Sequence, residues 1–373
     1  MPCETPTPPL RWDIFCRVID NFGDLGVCWR LACDLAKRGQ TVRLWIDDPS
    51  ALAWMAPEGS PAVEVKHWTT PIDMTDITPG QVLVEAFGCE VDEAFVAGYA
   101  RNLRASAQQC AWINLEYLSA EDFSARCHGL PSPVMSGPGH GLTKHFFYPG
   151  FTADTGGLLR EPDLLARQAR FDRKAWLAKL GLFSQDERLV SLFCYEPAGL
   201  NDLLRSLASE ARASRLLVTP GRAAAAVRSE MTALSALNPS WNQRSALSVD
   251  YLPHLSQIEF DHLLWACDVN FVRGEDSLVR ALWAGKPLVW HIYPQHDGVH
   301  AHKLEAFLDW LQAPASLRAY HRRWNGLEAP AFALQNALFE PENWQDCMAL
   351  ARTKLLEQED LGSQLLGFIA KIL

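Results

Sequence analysis

At 373 residues, with 48% hydrophobic and 21% charged positions, the chain has the balance of a globular protein long enough for two domains rather than one. Its formal net charge of -10 withholds the diffuse positive field on which DNA or RNA binding relies, and no window approaches the ~20 consecutive apolar residues of a membrane span, so neither nucleic acid nor membrane is an expected partner. The cysteines are scattered singly without a CxxC pair, several of them (Cys16, Cys194) inside apolar runs, which reads as reduced thiols of a cytoplasmic protein.

Residues 1–10 are rich in proline and read as a flexible tail. WDIFCRVI, from Trp12, reads as a strand, NFGDLG as a short loop, VCWRLACDLAKR as a helix with Val27, Leu31 and Leu35 on one face, and TVRLWI as a second strand. Strand, glycine loop, helix and strand make a βαβ unit. QVLVEAF (81–87) and CAWINLEYL (110–118) add further parallel strands, and the Gly-, Pro- and Asp-rich stretch PGFTADTGGLLREPD marks a linker. The second half repeats the alternation with strands RLVSLFCYE, SRLLVTPG, DVNFV and PLVW, and two helices close the chain from about residue 341. The expectation is an α/β protein: a tail over 1–10, a first Rossmann-like domain over 11–153, and a second over 154–354. A last helix at about 355–373 is available to pack back on the first domain.

Chemistry concentrates at two strand ends. RGEDSLVRALWAGKP places Arg273, Gly274, Glu275, Asp276 and Ser277 at a strand-to-helix turn, where unpaired backbone N–H groups and the helix dipole suit a diphosphate. Asp276 or Ser277 would equally serve as a simple cap. Gln257 and Phe260, read in a loop before a helix, suit edge-bonding and stacking of a nucleobase, or else a surface Gln and a core Phe. Tyr195 and Tyr293 end strands at the edge where open α/β sheets bind ligands.

In the first half, IDNFGDLG carries Asp20 and Asp24 where a dinucleotide site would need GxGxxG; acids there repel a pyrophosphate and suit general-base work, with an N-cap as the bland alternative for Asp24. His296, His300 and His302 lack a second ligand cluster, so no metal is expected.

WDIFCRVIDNFGDLGVCWRLA and NFVRGEDSLVRALWAGKPLVWHIYPQ together resemble the bacterial elongation factor P arginine rhamnosyltransferase family, EarP, over nearly the whole chain beyond the tail. The resemblance implies a GT-B fold with two Rossmann-like domains facing a cleft, a first domain for the acceptor and a second for the nucleotide sugar. It implies an inverting transfer from dTDP-β-L-rhamnose to an arginine of elongation factor P, with no metal or other cofactor. Carried onto this sequence, Asp24, Asp20 and Glu275 match the family's catalytic acids; that a guanidinium must lose a proton to a carboxylate makes Asp24 the expected base, with Asp20 and Glu275 orienting the guanidinium. Tyr195, Gln257, Arg273, Asp276, Ser277 and Tyr293 match its donor-binding positions, Phe260 joins them only as the base-stacking ring read above, and His254 departs from the aromatic residue expected near the base. The rival readings are another GT-B transferase or epimerase, or a non-catalytic nucleotide-sugar-binding module.

Overall fold

The structure, a computed structural model, describes residues 9–18, 22–106, 109–182, 186–294, 298–328 and 341–373. The chain divides into two compact units: Met1–Pro162 with Gln358–Leu373, and Asp163–Glu357.

The first unit runs β1 (Arg11–Cys16), α1 (Gly23–Lys37), β2 (Thr41–Ile46), α2 (Leu52–Met55), β3 (Val63–His67), β4 (Val82–Ala86), α3 (Glu93–Ser106), β5 (Ala111–Leu115), α4 (Asp122–Cys127), β6 (Pro131–Pro133) and β7 (Thr143–Phe147). Among the described residues its sheet has the order β3-β2-β1-β4-β5-β7-β6, parallel throughout except for β6 against β7. β1 is buried on both faces, as a central parallel strand must be, and its side chains alternate between two cores. Trp12, Ile14 and Cys16 join Leu25, Leu31 and Leu35 of α1, whereas Phe15 joins Trp45, Phe95 and Trp112. Between them the buried Asp13 carboxylate accepts from Arg43 at 2.7 and 2.8 Å, from the Trp45 indole at 2.8 Å and from the Gly80 N–H at 2.7 Å. Four donors on one buried acid satisfy the charge that burial would otherwise make costly.

The second unit runs α5 (Leu164–Ala169), α6 (Arg173–Lys179), β8 (Arg188–Leu192), α7 (Leu200–Ser209), β9 (Ser214–Val218), α8 (Arg222–Leu237), β10 (Leu247–Tyr251), α9 (Gln257–Ala266), β11 (Val269–Arg273), α10 (Gly274–Ala284), β12 (Leu288–His291), α11 (Val299–Trp310), α12 (Ala315–Trp324) and α13 (Pro341–Leu356). Its parallel sheet has the order β10-β9-β8-β11-β12, the same pattern as β3-β2-β1-β4-β5. The direction of winding therefore reverses twice in the molecule, between β1 and β4 and between β8 and β11. Beyond the carboxyl ends of such strands open α/β sheets bind their ligands.

The last helix, α14 (Leu361–Ile372), belongs to the first unit, where Leu361, Leu365 and Ile369 enter the core beside α1. Asp360 caps it by accepting from the Ser363 N–H, and Arg38 donates to Asp34, Asp360 and Ser363 at 2.9, 2.8 and 2.7 Å.

Three details depart from the sequence reading. Residues beyond 153 stay with the first unit: the Gly156 N–H returns to the Tyr148 carbonyl, and Glu161 accepts a two-pronged bond from Arg30 of α1. α1 starts at Gly23 rather than Val27, so Asp24 stands in a helical turn and not in a loop. Gln257 and Phe260 likewise lie within α9, whose cap Ser256 accepts from the Glu259 N–H.

Candidate active site

The first unit presents an acid at its switch point. Asp24 is half-buried in the first turn of α1, just after β1, and its neighbourhood is built by the ends of β4 and β5. The N-cap is Phe22 with no side-chain bond, so Asp24 is not the cap that a local reading allowed. Tyr117, just beyond β5, donates its hydroxyl to Asp24 Oδ2 at 3.2 Å, and its ring stacks on Phe87 with centroids 5.0 Å apart. Glu116 precedes it, held by Asn114 at 2.9 Å; burial pushes its carboxyl above the ordinary value. Asp20 lies outside the described residues.

The second unit presents cations. Arg273 ends β11 with its guanidinium 4.4 Å from the Phe193 ring and 4.6 Å from the Tyr195 ring, donating to the Cys194 carbonyl at 3.3 Å. No carboxylate bonds it among the described residues, and desolvation lowers its pKa from the usual value. A desolvated guanidinium held by ring faces and one carbonyl is prepared for an anion. Arg222, the first residue of α8, approaches the same Tyr195 ring at 5.0 Å while it forks the Glu196 carboxylate, one arm at 2.9 Å.

Tyr195 is buried beyond β8, edge-on to Tyr293 at 5.6 Å, and burial pushes its phenol up to about 12. Its N–H donates to Nδ1 of His291, a ring that burial brings down to about 4 and so keeps neutral near pH 7. Gly274 takes φ +65 at the strand-to-helix turn, a conformation in which a side chain is strained, and its carbonyl accepts from the Trp290 indole. At the other end of α10, Gly285 is the left-handed C-cap.

The structure gathers Tyr195, Arg273 and Tyr293 at the strand ends as a group. Phe260 reaches them through an edge-to-face contact with Phe193 at 5.5 Å. Gln257 opens α9, and its carbonyl accepts from Arg280 at 3.3 Å. Three residues of this turn have structural engagements: the cap by Ser277 is one of the readings the sequence offered, while the pairings of Asp276 and Glu275 were not foreseen. Asp276 accepts from Arg280 at 2.8 Å, and Arg280 also reaches the buried Asp261 at 2.7 Å. Ser277 Oγ accepts from the Arg273 N–H at 3.1 Å and donates to the Arg273 carbonyl, a local cap. Glu275 is ion-paired with Lys303 of α11.

Sequence reasoning missed Tyr117, Glu196, Arg222 and Lys303. Arg222 had a usable signal: like Arg273 it stands at a strand-to-helix turn marked by a glycine, there after the glycine as the first residue of the helix. Tyr117 had been absorbed into a strand that in fact ends at Leu115. His300 and His302 lie on α11, His296 lies outside the described residues, and the described residues contain no group of three or more His, Cys, Asp or Glu able to hold a metal ion.

Two parallel sheets of this order, with acid at one switch point and cations at the other, are the architecture of a GT-B glycosyltransferase. The solved structure of Acinetobacter baumannii MurG shares the fold with a TM-score of 0.51 at 10% identity, over 97% of this chain and 100% of that one. The family model described as "Elongation-Factor P (EF-P) rhamnosyltransferase EarP" matches residues 12–370, and the chain belongs to that family. The protein-arginine rhamnosyltransferase of Pseudomonas aeruginosa is 41% identical over 387 residues, covering 96% of this chain and 98% of the relative. A solved structure described as "Structural basis for EarP-mediated arginine glycosylation of translation elongation factor EF-P" is 31% identical with a TM-score of 0.63, over 98% of this chain and all of that one.

Proposed function

We propose that this glycosyltransferase moves rhamnose from dTDP-β-L-rhamnose, with inversion and without a metal ion, to one arginine of translation elongation factor P in the cytoplasm. The first unit takes the acceptor and the second the nucleotide sugar. The observation that carries the reading is Arg273, a desolvated guanidinium without a carboxylate partner among the described residues, at the switch point of the second sheet. It supports a diphosphate ligand there, and the family's name supports rhamnose as the sugar and elongation factor P as the acceptor.

A guanidinium nitrogen is a poor nucleophile because its lone pairs are delocalised and its pKa exceeds 12. In this reading a carboxylate grips it and accepts a proton as the new N–C bond forms at the anomeric carbon. The bond from that carbon to the diphosphate oxygen breaks, and dTDP leaves with the electron pair. Asp24 is assigned as the base; Asp20 and Glu275 are assigned to orienting the guanidinium and stabilising positive charge on the sugar. Arg273 and the N-terminus of α10 take the negative charge that develops on the leaving diphosphate, with Tyr195, Tyr293, Gln257 and Phe260 around the nucleotide and Asp276 and Ser277 shaping the turn.

Intact-mass measurement of unmodified elongation factor P, incubated with the protein and dTDP-β-L-rhamnose, tests the whole reading. The expected result is a gain of one deoxyhexose, absent from an acceptor whose arginine is replaced by lysine. No gain while dTDP still binds would keep the donor site and reject this sugar or this acceptor.

A further inference from the structure

The ends of β4 and β5 carry an arrangement that the proposed roles leave unused. After β4 the chain turns through Phe87 at φ +57 and Gly88 at φ +70, closed by the Cys89 N–H on the Ala86 carbonyl. Two successive left-handed residues make this turn tight, and the first of them is a phenylalanine rather than the glycine or asparagine that bears such a conformation cheaply. The Phe87 N–H is tied to the Leu115 carbonyl at 2.8 Å, which extends the β4–β5 ladder by one step and fixes where the ring stands. That ring is almost fully buried, and the Tyr117 ring lies on it at 30° between planes. Tyr117 itself is 40% exposed, so core packing does not explain the stack; the hydroxyl it delivers to Asp24 does. Backbone strain of this kind persists where the surroundings over-determine it, and it clusters at functional sites.

The geometry points to Tyr117 as the positioning residue of Asp24, its phenol held by Phe87 so that the carboxylate is fixed in one orientation. The inference rests on the proposed role of Asp24 and deepens it. A donated hydrogen bond favours the charged carboxylate over the protonated acid, so the contact also keeps the base in its working form. Tyr117 from beyond β5 and Cys28 from the next turn of α1 are titratable neighbours of Asp24; the hydrogen-bonded Cys16 thiol, and then burial, push the Cys28 thiol upward, which keeps it uncharged.

Tyr117→Phe is the discriminating variant, because it keeps the ring on Phe87 and removes only the hydroxyl. Transfer from dTDP-β-L-rhamnose to elongation factor P is followed from about pH 4 to pH 8 for the full-length protein, Tyr117→Phe, Phe87→Leu and Asp24→Asn. The expected result for Tyr117→Phe is an acid limb of kcat/KM moved upward by about half to one pH unit. Turnover falls roughly three- to tenfold at the low end and less at pH 8, with donor KM unchanged. Phe87→Leu moves the limb the same way by less, since it loosens the ring without deleting the donor. An unmoved limb in Tyr117→Phe, with Asp24→Asn inactive, overturns the inference and leaves the base assignment standing. Complete loss of transfer in Tyr117→Phe also overturns it, by making the hydroxyl a reacting group. Full turnover in Asp24→Asn removes the base assignment and this inference with it.

Discussion

The two units share a strand order and differ in the charge they present at its turning point. Beside β1 the first unit sets Asp24 under a tyrosine hydroxyl; beside β8 the second sets Arg273 and Arg222 around Tyr195. Topology thus supplies the place, the crevice beyond the carboxyl ends of parallel strands, and the two or three residues after each strand supply the chemistry. α1, after β1, carries Asp24 in its first turn; α10, after β11, carries Glu275 and Asp276 there and has Arg273 as the residue before it. On the proposed function, the acid of the first unit takes a proton from a cationic acceptor and the cation of the second holds an anionic donor.

The contrast is sharpest in its catalytic half. Asp24→Asn keeps the shape and removes the proposed base, so kcat is expected to fall by about 100-fold or more while dTDP affinity stays unchanged by calorimetry. Retained turnover would erase the functional asymmetry between the units. Arg273→Met is the matching change on the donor side. It is expected to weaken dTDP binding by about 2–3 kcal/mol, yet to raise the thermal stability of the ligand-free protein by roughly 1 kcal/mol, because a desolvated charge is replaced by an apolar chain. If the ligand-free protein were destabilised instead, Arg273 would be a structural residue.

Acid separates the units more gently. In the second unit, burial brings both His291 and His321 down to about 4, and His321 is fixed as a neutral ring by the Trp290 N–H on Nε2 and the Leu317 carbonyl at Nδ1. Their folded pKa values lie below the ordinary value near 6.5, so the unfolded chain binds more protons between about pH 6.5 and 4 and stability is lost as pH falls through that window. The expected loss is on the order of 2 kcal/mol per histidine at pH 5, read as earlier urea unfolding of second-unit tryptophans. Stability that stayed flat to pH 4 would show that neither ring remains neutral.

Much of this was legible in the sequence where burial enforces a pattern. TVRLWI and DVNFV are apolar runs that only a parallel strand covered on both faces would need, and the structure places β2 and β11 there. β3 and β10 escaped because they lie at sheet edges, where VEVKH and LSVDY keep polar residues toward solvent and lose the signal. In the site, the strand-end residues Tyr195, Arg273 and Tyr293 were readable because strand ends can be read. The bonds of Asp276 to Arg280, Glu275 to Lys303 and Tyr117 to Asp24 were not, since each joins residues whose meeting depends on side-chain direction or on the fold as a whole.

The place of α14 has a consequence for how the protein comes into being. Synthesis delivers the first unit's sheet early and the helix that completes its core last, so the apolar groove along α1 stays open until Leu361, Leu365 and Ile369 leave the ribosome. The second unit, continuous from Asp163 to Glu357, can close while the first is still waiting. Of the two units, the one whose synthesis begins first is therefore completed last, and loss of the residues after Glu357 would injure the first unit's core rather than the second unit they follow in the chain.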